Sequence, residues 1–211
     1  MVKFVKAVKD EPFSGWASIP GRGTRFHLDA STKEHVFDWF AARAGALFKA
    51  DGEYLLVPIP SSSCTSREAV WQCRPTRLAK ALCSQHPGSS MKWGAISWWK
   101  TAKRKAHRSS DRSLRDPWAL FDNLVVSNSL TPFMRSAKIL LVDDVCTTGA
   151  STIQAIEAAR NYGFEVIGAM CLVERQDAHG RPNVEKSAAP ANFITIFTAT
   201  DVRKEHLALS N

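Results

Sequence analysis

The sequence predicts an α/β domain built on a doubly wound, mainly parallel sheet, and three observations carry that prediction. Short unbroken apolar runs recur at Tyr54-Leu55-Leu56-Val57, at Ile139-Leu140-Leu141-Val142 and over residues 166–173, and a largely apolar run over 193–197, as strands buried on both faces require. Between the second and third runs, Ile153, Ile156 and Ala159 repeat at helical spacing, so strand, helix and strand follow one another within about 35 residues, the size of a right-handed crossover unit. Finally, 211 residues that are 45% hydrophobic and 23% charged suffice for one such core and exclude a disordered or fibrous chain.

Taken in order, residues 1–30 read as a small β-rich, hood-like lobe. Phe4, Val5, Phe13, Trp16 and Ile19 alternate around a Pro20-Gly21-Arg22-Gly23 turn. Residues 31–211 read as the α/β core. Ser31 and Glu34 have capping-box spacing, and Val36, Phe37, Phe40, Ala44 and Leu47 form a helical stripe behind them. The first apolar run leads through Pro58-Ile59-Pro60 into Ser61-Ser62-Ser63, a strand running out into a loop. A helix over 75–83 starts with Pro75 at its first position. Trp93, Ile96, Trp98 and Trp99 mark a strand or core edge. The helix after the second run ends at Asn161-Tyr162-Gly163, where Gly163 suits a left-handed cap.

Composition narrows function. No apolar stretch approaches the roughly 18–20 residues of a membrane span, and the opening MVKFVKAVKD has no apolar segment behind its lysines; a cytoplasmic protein without a membrane partner is expected. Cys64, Cys73, Cys83, Cys146 and Cys171 are odd in number, scattered and free of zinc-site spacing, so they read as small buried hydrophobes in a reducing compartment. The net charge is +8 and the pI about 9.4. Seven basic and two acidic residues fall between Lys100 and Asp116, so most of the excess sits in one segment.

The stretch that carries chemistry follows the Ile139 run: Asp143-Asp144-Val145-Cys146-Thr147-Thr148-Gly149-Ala150-Ser151. Thr147, Thr148 and Ser151 offer hydroxyls, Gly149 allows close backbone approach, and a helix N-terminus favours a phosphate. Two carboxylates would repel a bare phosphate. They suit a ligand that also presents hydroxyls, as ribose does, or a metal ion. The lysine of a Walker loop and the glycines of a dinucleotide-binding fingerprint are absent from this stretch.

The segment ILLVDDVCTTGAS resembles the phosphoribosyl pyrophosphate (PRPP) motif of type I phosphoribosyltransferases. The resemblance implies that Asp143 and Asp144 hold the ribose hydroxyls and a bound Mg²⁺, and that Val145, Cys146, Thr147, Thr148, Gly149, Ala150 and Ser151 complete the PRPP site. CLVERQDAHGRP downstream is similar to orotate phosphoribosyltransferases, which makes Arg175 a candidate for the base. Val57-Pro58-Ile59-Pro60, Arg67 and Arg77-Leu78-Ala79-Lys80-Ala81-Leu82 look more like ComF-type domains, although the Arg-Gly-Phe-Asn signature and zinc-ribbon cysteines of those domains are missing. In the family the turn after the first strand binds pyrophosphate, which nominates Ser61, Ser62 and Arg67. A mobile loop precedes the motif, and in orotate enzymes it carries Lys-x-x-Lys and a histidine. Residues 100–116 look similar, so Lys103, Lys105 and His107, with Asp144, are the catalytic candidates. Hypoxanthine-guanine enzymes carry an aspartate where Thr147 stands. A threonine hydroxyl cannot act as a base near neutral pH, which disfavours a 6-oxopurine.

The reading is thus Mg²⁺-dependent transfer of 5-phosphoribose from PRPP to a nitrogen nucleophile on a small-molecule acceptor, orotate-like or another base, with release of pyrophosphate. Homodimers are common in the resembled family. Two alternatives stay open: a PRPP-sensing regulator that binds nucleic acid through the basic loop, and an effector whose acceptor another chain or an RNA supplies.

Overall fold

The computed structural model describes residues 12–18, 25–32, 34–47, 53–61, 64–85, 91–93, 98–100, 124–126, 138–174, 182, 184–186 and 192–198. In chain order the described elements are strands β1 (Gly15–Ser18) and β2 (Arg25–Leu28), helix α1 (Glu34–Leu47), strand β3 (Tyr54–Pro58), the short helix α2 (Arg67–Val70), helix α3 (Arg74–Gln85), strands β4 (Met91–Trp93), β5 (Trp98–Lys100), β6 (Leu124–Val126) and β7 (Lys138–Cys146), helix α4 (Ala150–Asn161), and strands β8 (Glu165–Glu174) and β9 (Asn192–Thr198).

Five strands form the central sheet in the order β4-β3-β7-β8-β9, and every neighbouring pair is parallel. The expected doubly wound α/β class is therefore observed. From β3 the chain crosses to β4 on one side; from β7 it steps through α4 to β8 and on to β9 on the other. The two directions diverge between β3 and β7, and in open α/β sheets ligands bind at the carboxyl ends of strands where the winding reverses.

The unbroken apolar runs arise because both sheet faces are covered. Leu56, Leu140, Val142, Met170 and Leu172 pack with Val36 and Phe37 of α1 and Leu78 and Leu82 of α3. Leu55, Val57, Ile139, Leu141 and Cys171 pack with Ile153 and Ile156 of α4. Trp98 is buried in this second cluster, and its indole N–H donates to the Pro58 carbonyl, so this tryptophan is core. The Arg77 guanidinium pairs with Glu34 and lies 4.4 Å over the Phe37 ring, joining α1 to α3.

Smaller antiparallel pairs flank the sheet: β1 with β2, and β5 with β6. The hairpin β1–β2 falls within residues 1–30, and Leu28 at its end is buried in the same cluster as Val36 and Phe37.

Three local expectations change. Ser31 does not act as a helix cap: its N–H and hydroxyl both donate to Asp29 Oδ1, at 2.8 and 2.6 Å, and Glu34 turns to Arg77. Asp29 is one bond shorter than the long acceptor a capping box uses and closes the turn from the other side. These hydrogen bonds, chiefly from the Ser31 hydroxyl, lower the Asp29 carboxyl to about 2. Secondly, the motif strand does not stop at Val142. It runs to Cys146, because Asp143, Val145 and Cys146 pair with Cys171, Val173 and Glu174 of β8. Thirdly, the cysteines are not all unpaired. Cys64 and Cys73 form a disulfide with a Cα–Cα distance of 6.4 Å, brought together by the turn of α2 that lies between them, while Cys83, Cys146 and Cys171 are free thiols.

Candidate active site

With the strand extended to Cys146, the loop of the motif shrinks to Thr147, Thr148 and Gly149. Gly149 is the N-cap of α4 at φ 78°, a left-handed conformation that L side chains adopt at a cost. No side chain caps the helix there, and its first turn holds no acidic residue. The opening N–H groups and positive dipole end of α4 consequently face the carboxyl end of the sheet with no acidic side chain in the helix's own first turn. Ala150 is buried, and Thr147, Thr148 and Ser151 are half-buried around this helix start.

Strand alternation separates the two aspartates. Asp144 shares the α3 side with Leu140 and Val142, and there it meets Arg74, the first residue of α3: Arg74 Nε donates to Asp144 Oδ2 at 2.7 Å. Its other oxygen accepts the Val145 N–H at 2.7 Å. Asp143 stands in register with Cys171 on the opposite side, and its Oδ1 accepts the Asp144 N–H at 2.8 Å. The Cys171 thiol is pushed well above its ordinary range, first by burial, then by its hydrogen bond with Cys146 and by the charges of Cys146 and Asp143.

Both aspartates are thus buried, and their side chains lie on opposite sides of the strand. Among the described residues no group of three or more His, Cys, Asp or Glu could hold a metal ion.

Across the crevice, Ile59 N–H donates to Val142 O at 2.8 Å and fixes the exit of β3 against β7. Ser61 follows, half-buried, its hydroxyl 3.2 Å from Cys64 Sγ. Arg67 opens α2 and is exposed. The guanidinium that reaches the motif belongs to Arg74, which sequence reasoning missed. Its signal was the Arg74-Pro75 pair: a helix that starts at the carboxyl end of a parallel sheet turns its first residues toward the ligand side. Ser62, Lys103, Lys105, His107 and Arg175 lie outside the described residues.

Residues 101–198 match the family model of the phosphoribosyl transferase domain. Over that stretch, just under half of its length, the chain is similar to phosphoribosyltransferases. It is 43% identical over 53 residues to orotate phosphoribosyltransferase of Aquifex aeolicus, covering 25% of this chain and 28% of that one. It is 36% identical over 87 residues to adenine phosphoribosyltransferase of Polynucleobacter asymbioticus, covering 40% and 49%. The matched stretches thus span less than half the length of these relatives. The crystal structure of orotate phosphoribosyltransferase from Aeropyrum pernix superposes with a TM-score of 0.50 at 16% identity, covering 99% of each chain, a likeness of fold. The family match begins just after β5 and ends with β9. It therefore takes in the basic segment, the motif strand and the helix start at Gly149. Among the described residues no helix is long and apolar enough to cross a membrane.

Proposed function

We propose that this chain transfers the 5-phosphoribosyl group of PRPP to a nitrogen nucleophile and releases pyrophosphate. The observation that carries the proposal is the convergence, at the crevice where the sheet reverses its winding, of an oriented carboxylate (Asp144) and an uncapped helix start (Gly149). A sugar phosphate needs both: an acceptor for its vicinal hydroxyls and a set of N–H donors for its dianion.

In this reading Asp144 accepts the ribose hydroxyls. Asp143 acts from the far side by holding the Asp144 N–H, and Thr147 to Ser151 take the 5′-phosphate. Cleaving the C1–O bond builds positive charge on the ribose and negative charge on the leaving pyrophosphate, so cations around the pyrophosphate and exclusion of water lower the barrier. Ser61 and Ser62 would hold the pyrophosphate on the β3 side. The basic segment, with Lys103, Lys105 and His107, would close over it and neutralise it. Likeness to this family implies PRPP used with magnesium; the ion would be carried mainly by substrate oxygens, as its preference for phosphate ligands allows. For the acceptor we favour a small nitrogen base recognised with the help of Arg175, not a 6-oxopurine.

The test is to incubate the protein with PRPP, magnesium and a panel of bases and to measure pyrophosphate release. Turnover with at least one base is expected, and none with any base overturns the enzymatic reading. The charge concentrated between Lys100 and Asp116 favours one alternative, a PRPP sensor that binds nucleic acid. That reading predicts a salt-dependent gel shift which PRPP modulates.

A further inference from the structure

The start of α3 is tied at two adjacent residues. Arg74 holds Asp144 by a charge-assisted hydrogen bond of 2.7 Å, and the residue before it, Cys73, is bridged to Cys64. Cys64 is fully buried, and its N–H donates to Ser61 O at 3.0 Å. The bridge therefore closes the neck of the loop that leaves β3 and returns as α3. Inside that loop the Ser66 hydroxyl caps α2 by accepting the Ala69 N–H at 3.2 Å, and the Thr76 hydroxyl donates to Val70 O at 2.6 Å. Val70, Cys64 and Cys73 form a small apolar cluster of their own, with Trp99 of β5 packed against it. This cluster stands apart from the two that sandwich the sheet. The segment placing Arg74 thus has a separate core, fastened by one covalent bond.

We infer that Arg74 is the residue that positions Asp144 for the ribose, and that the Cys64–Cys73 bridge positions Arg74, so that affinity for PRPP follows the oxidation state of this cysteine pair. The inference rests on the reading that Asp144 binds the sugar. A carboxylate offers about four acceptor sites, more than the Val145 N–H and Arg74 Nε fill, so Arg74 can orient the group without displacing the ligand. The Arg74 side chain is 26% exposed and that of Asp144 10%, so the pair lies at the edge of the crevice where a ligand can reach it. Losing the guanidinium frees one carboxylate oxygen and leaves a largely covered charge without its cation.

Opening the bridge takes two electrons and two protons. A dithiol supplies both through a mixed disulfide: it leaves as its own cyclic disulfide, and Cys64 and Cys73 emerge as thiols. Because both sulfurs are covered, the exchange needs local opening of the loop and is slow.

The experiment uses the full chain. Differential alkylation and mass spectrometry report the bridge, and calorimetric titration with PRPP and magnesium reports affinity. Arg74→Met is expected to weaken PRPP binding by about 10- to 100-fold, whereas Arg74→Lys, which keeps the charge without the planar fork, recovers part of the loss. In an Asp144→Asn background Arg74→Met should cost little more, because the two residues act as a unit. An undiminished further loss there means that Arg74 does not act through Asp144 and overturns the positioning role. Treatment with dithiothreitol, or the double substitution Cys64→Ala with Cys73→Ala, should each weaken binding about 3- to 10-fold, and dithiothreitol should do nothing further to the double variant. A double variant that binds as tightly as the oxidised wild type overturns the role of the bridge, as does finding both cysteines alkylated before reduction. If the wild type binds no PRPP at all, the phosphoribosyl reading fails instead. The mechanical link is then read from amide exchange at residues 73–77 and 143–145: reduction accelerates it if the bridge holds Arg74, and an unchanged rate overturns the link.

Discussion

Asp143 and Asp144 are neighbours in the chain and strangers in the fold. Asp144 faces α3, where Arg74 and the Val145 N–H hold its two oxygens. Asp143 faces the α4 side, where it accepts the Asp144 N–H and sits beside the buried thiol of Cys171. A strand flips its side chains at every step, and β8 keeps this segment a strand through Cys146. One residue of register thus separates a carboxylate oriented by a cation from one that braces the backbone behind it. The two sheet faces are alike in their apolar packing and differ in what stands at their carboxyl ends.

The largest expected effect separates the two acids. Asp144→Asn should lower kcat/KM for PRPP by about 100-fold or more, on the scale of losing an oriented charged contact in a reacting site. Asp143→Asn should lower it by about 10-fold or less, since an amide oxygen can still accept the Asp144 N–H. Equal losses in a steady-state assay would erase the distinction.

Cohesion, by contrast, should not distinguish the faces. Leu140 and Leu141 are both fully buried, on the α3 and α4 sides respectively. Leu140→Ala and Leu141→Ala should each cost about 2–5 kcal/mol in urea unfolding. A much smaller cost on one face would show that its layer is not closed.

The two ends of α4 sharpen the contrast further. Gly149 and Gly163 both have positive φ, 78° and 87°, and an added Cβ at Gly163 meets nothing within 4 Å. Alanine at either should therefore cost about 1–2 kcal/mol of stability through backbone conformation. Only Gly149→Ala should also weaken PRPP binding in calorimetry, because its conformation aims the N–H groups of the helix start. Equal affinity of the two variants would remove the helix start from the site.

Asp29 gives the smallest effect and serves as a control. Its turn holds the carboxyl at about 2, below an ordinary value near 4. A depressed carboxyl stabilises the fold above its unfolded value, and that contribution is lost as pH falls from about 4 through about 2. An NMR titration of Asp29 should show a midpoint near 2, and a slight loss of stability should appear only in that acid window. A midpoint near 4 would mean that the Ser31 turn does not form.

What could be read in advance was whatever local pattern dictates. The fully buried strand Tyr54–Pro58 announces itself because covering both faces requires an unbroken apolar run. Gly163 ends α4 because few other residues take that conformation. The motif at 139–151 was legible because its hydroxyls, glycine and acids stand together in the chain. Features that depend on distant partners were not. Cys64 and Cys73 looked like scattered thiols until the α2 turn joined them, and two consecutive aspartates look like loop until β8 pairs with this segment.

By itself, then, the sequence determined the class of sheet, the motif and the kind of ligand that motif suits, all of which follow from spacing within a few turns or strands. Only the tertiary structure decided which aspartate faces the crevice and which cation meets it. Arg74 lies 70 residues from Asp144 in the chain, and nothing local links them. They meet because β3 and β7 pair in parallel, and the helix that leaves one strand end therefore begins beside the carboxyl end of the other.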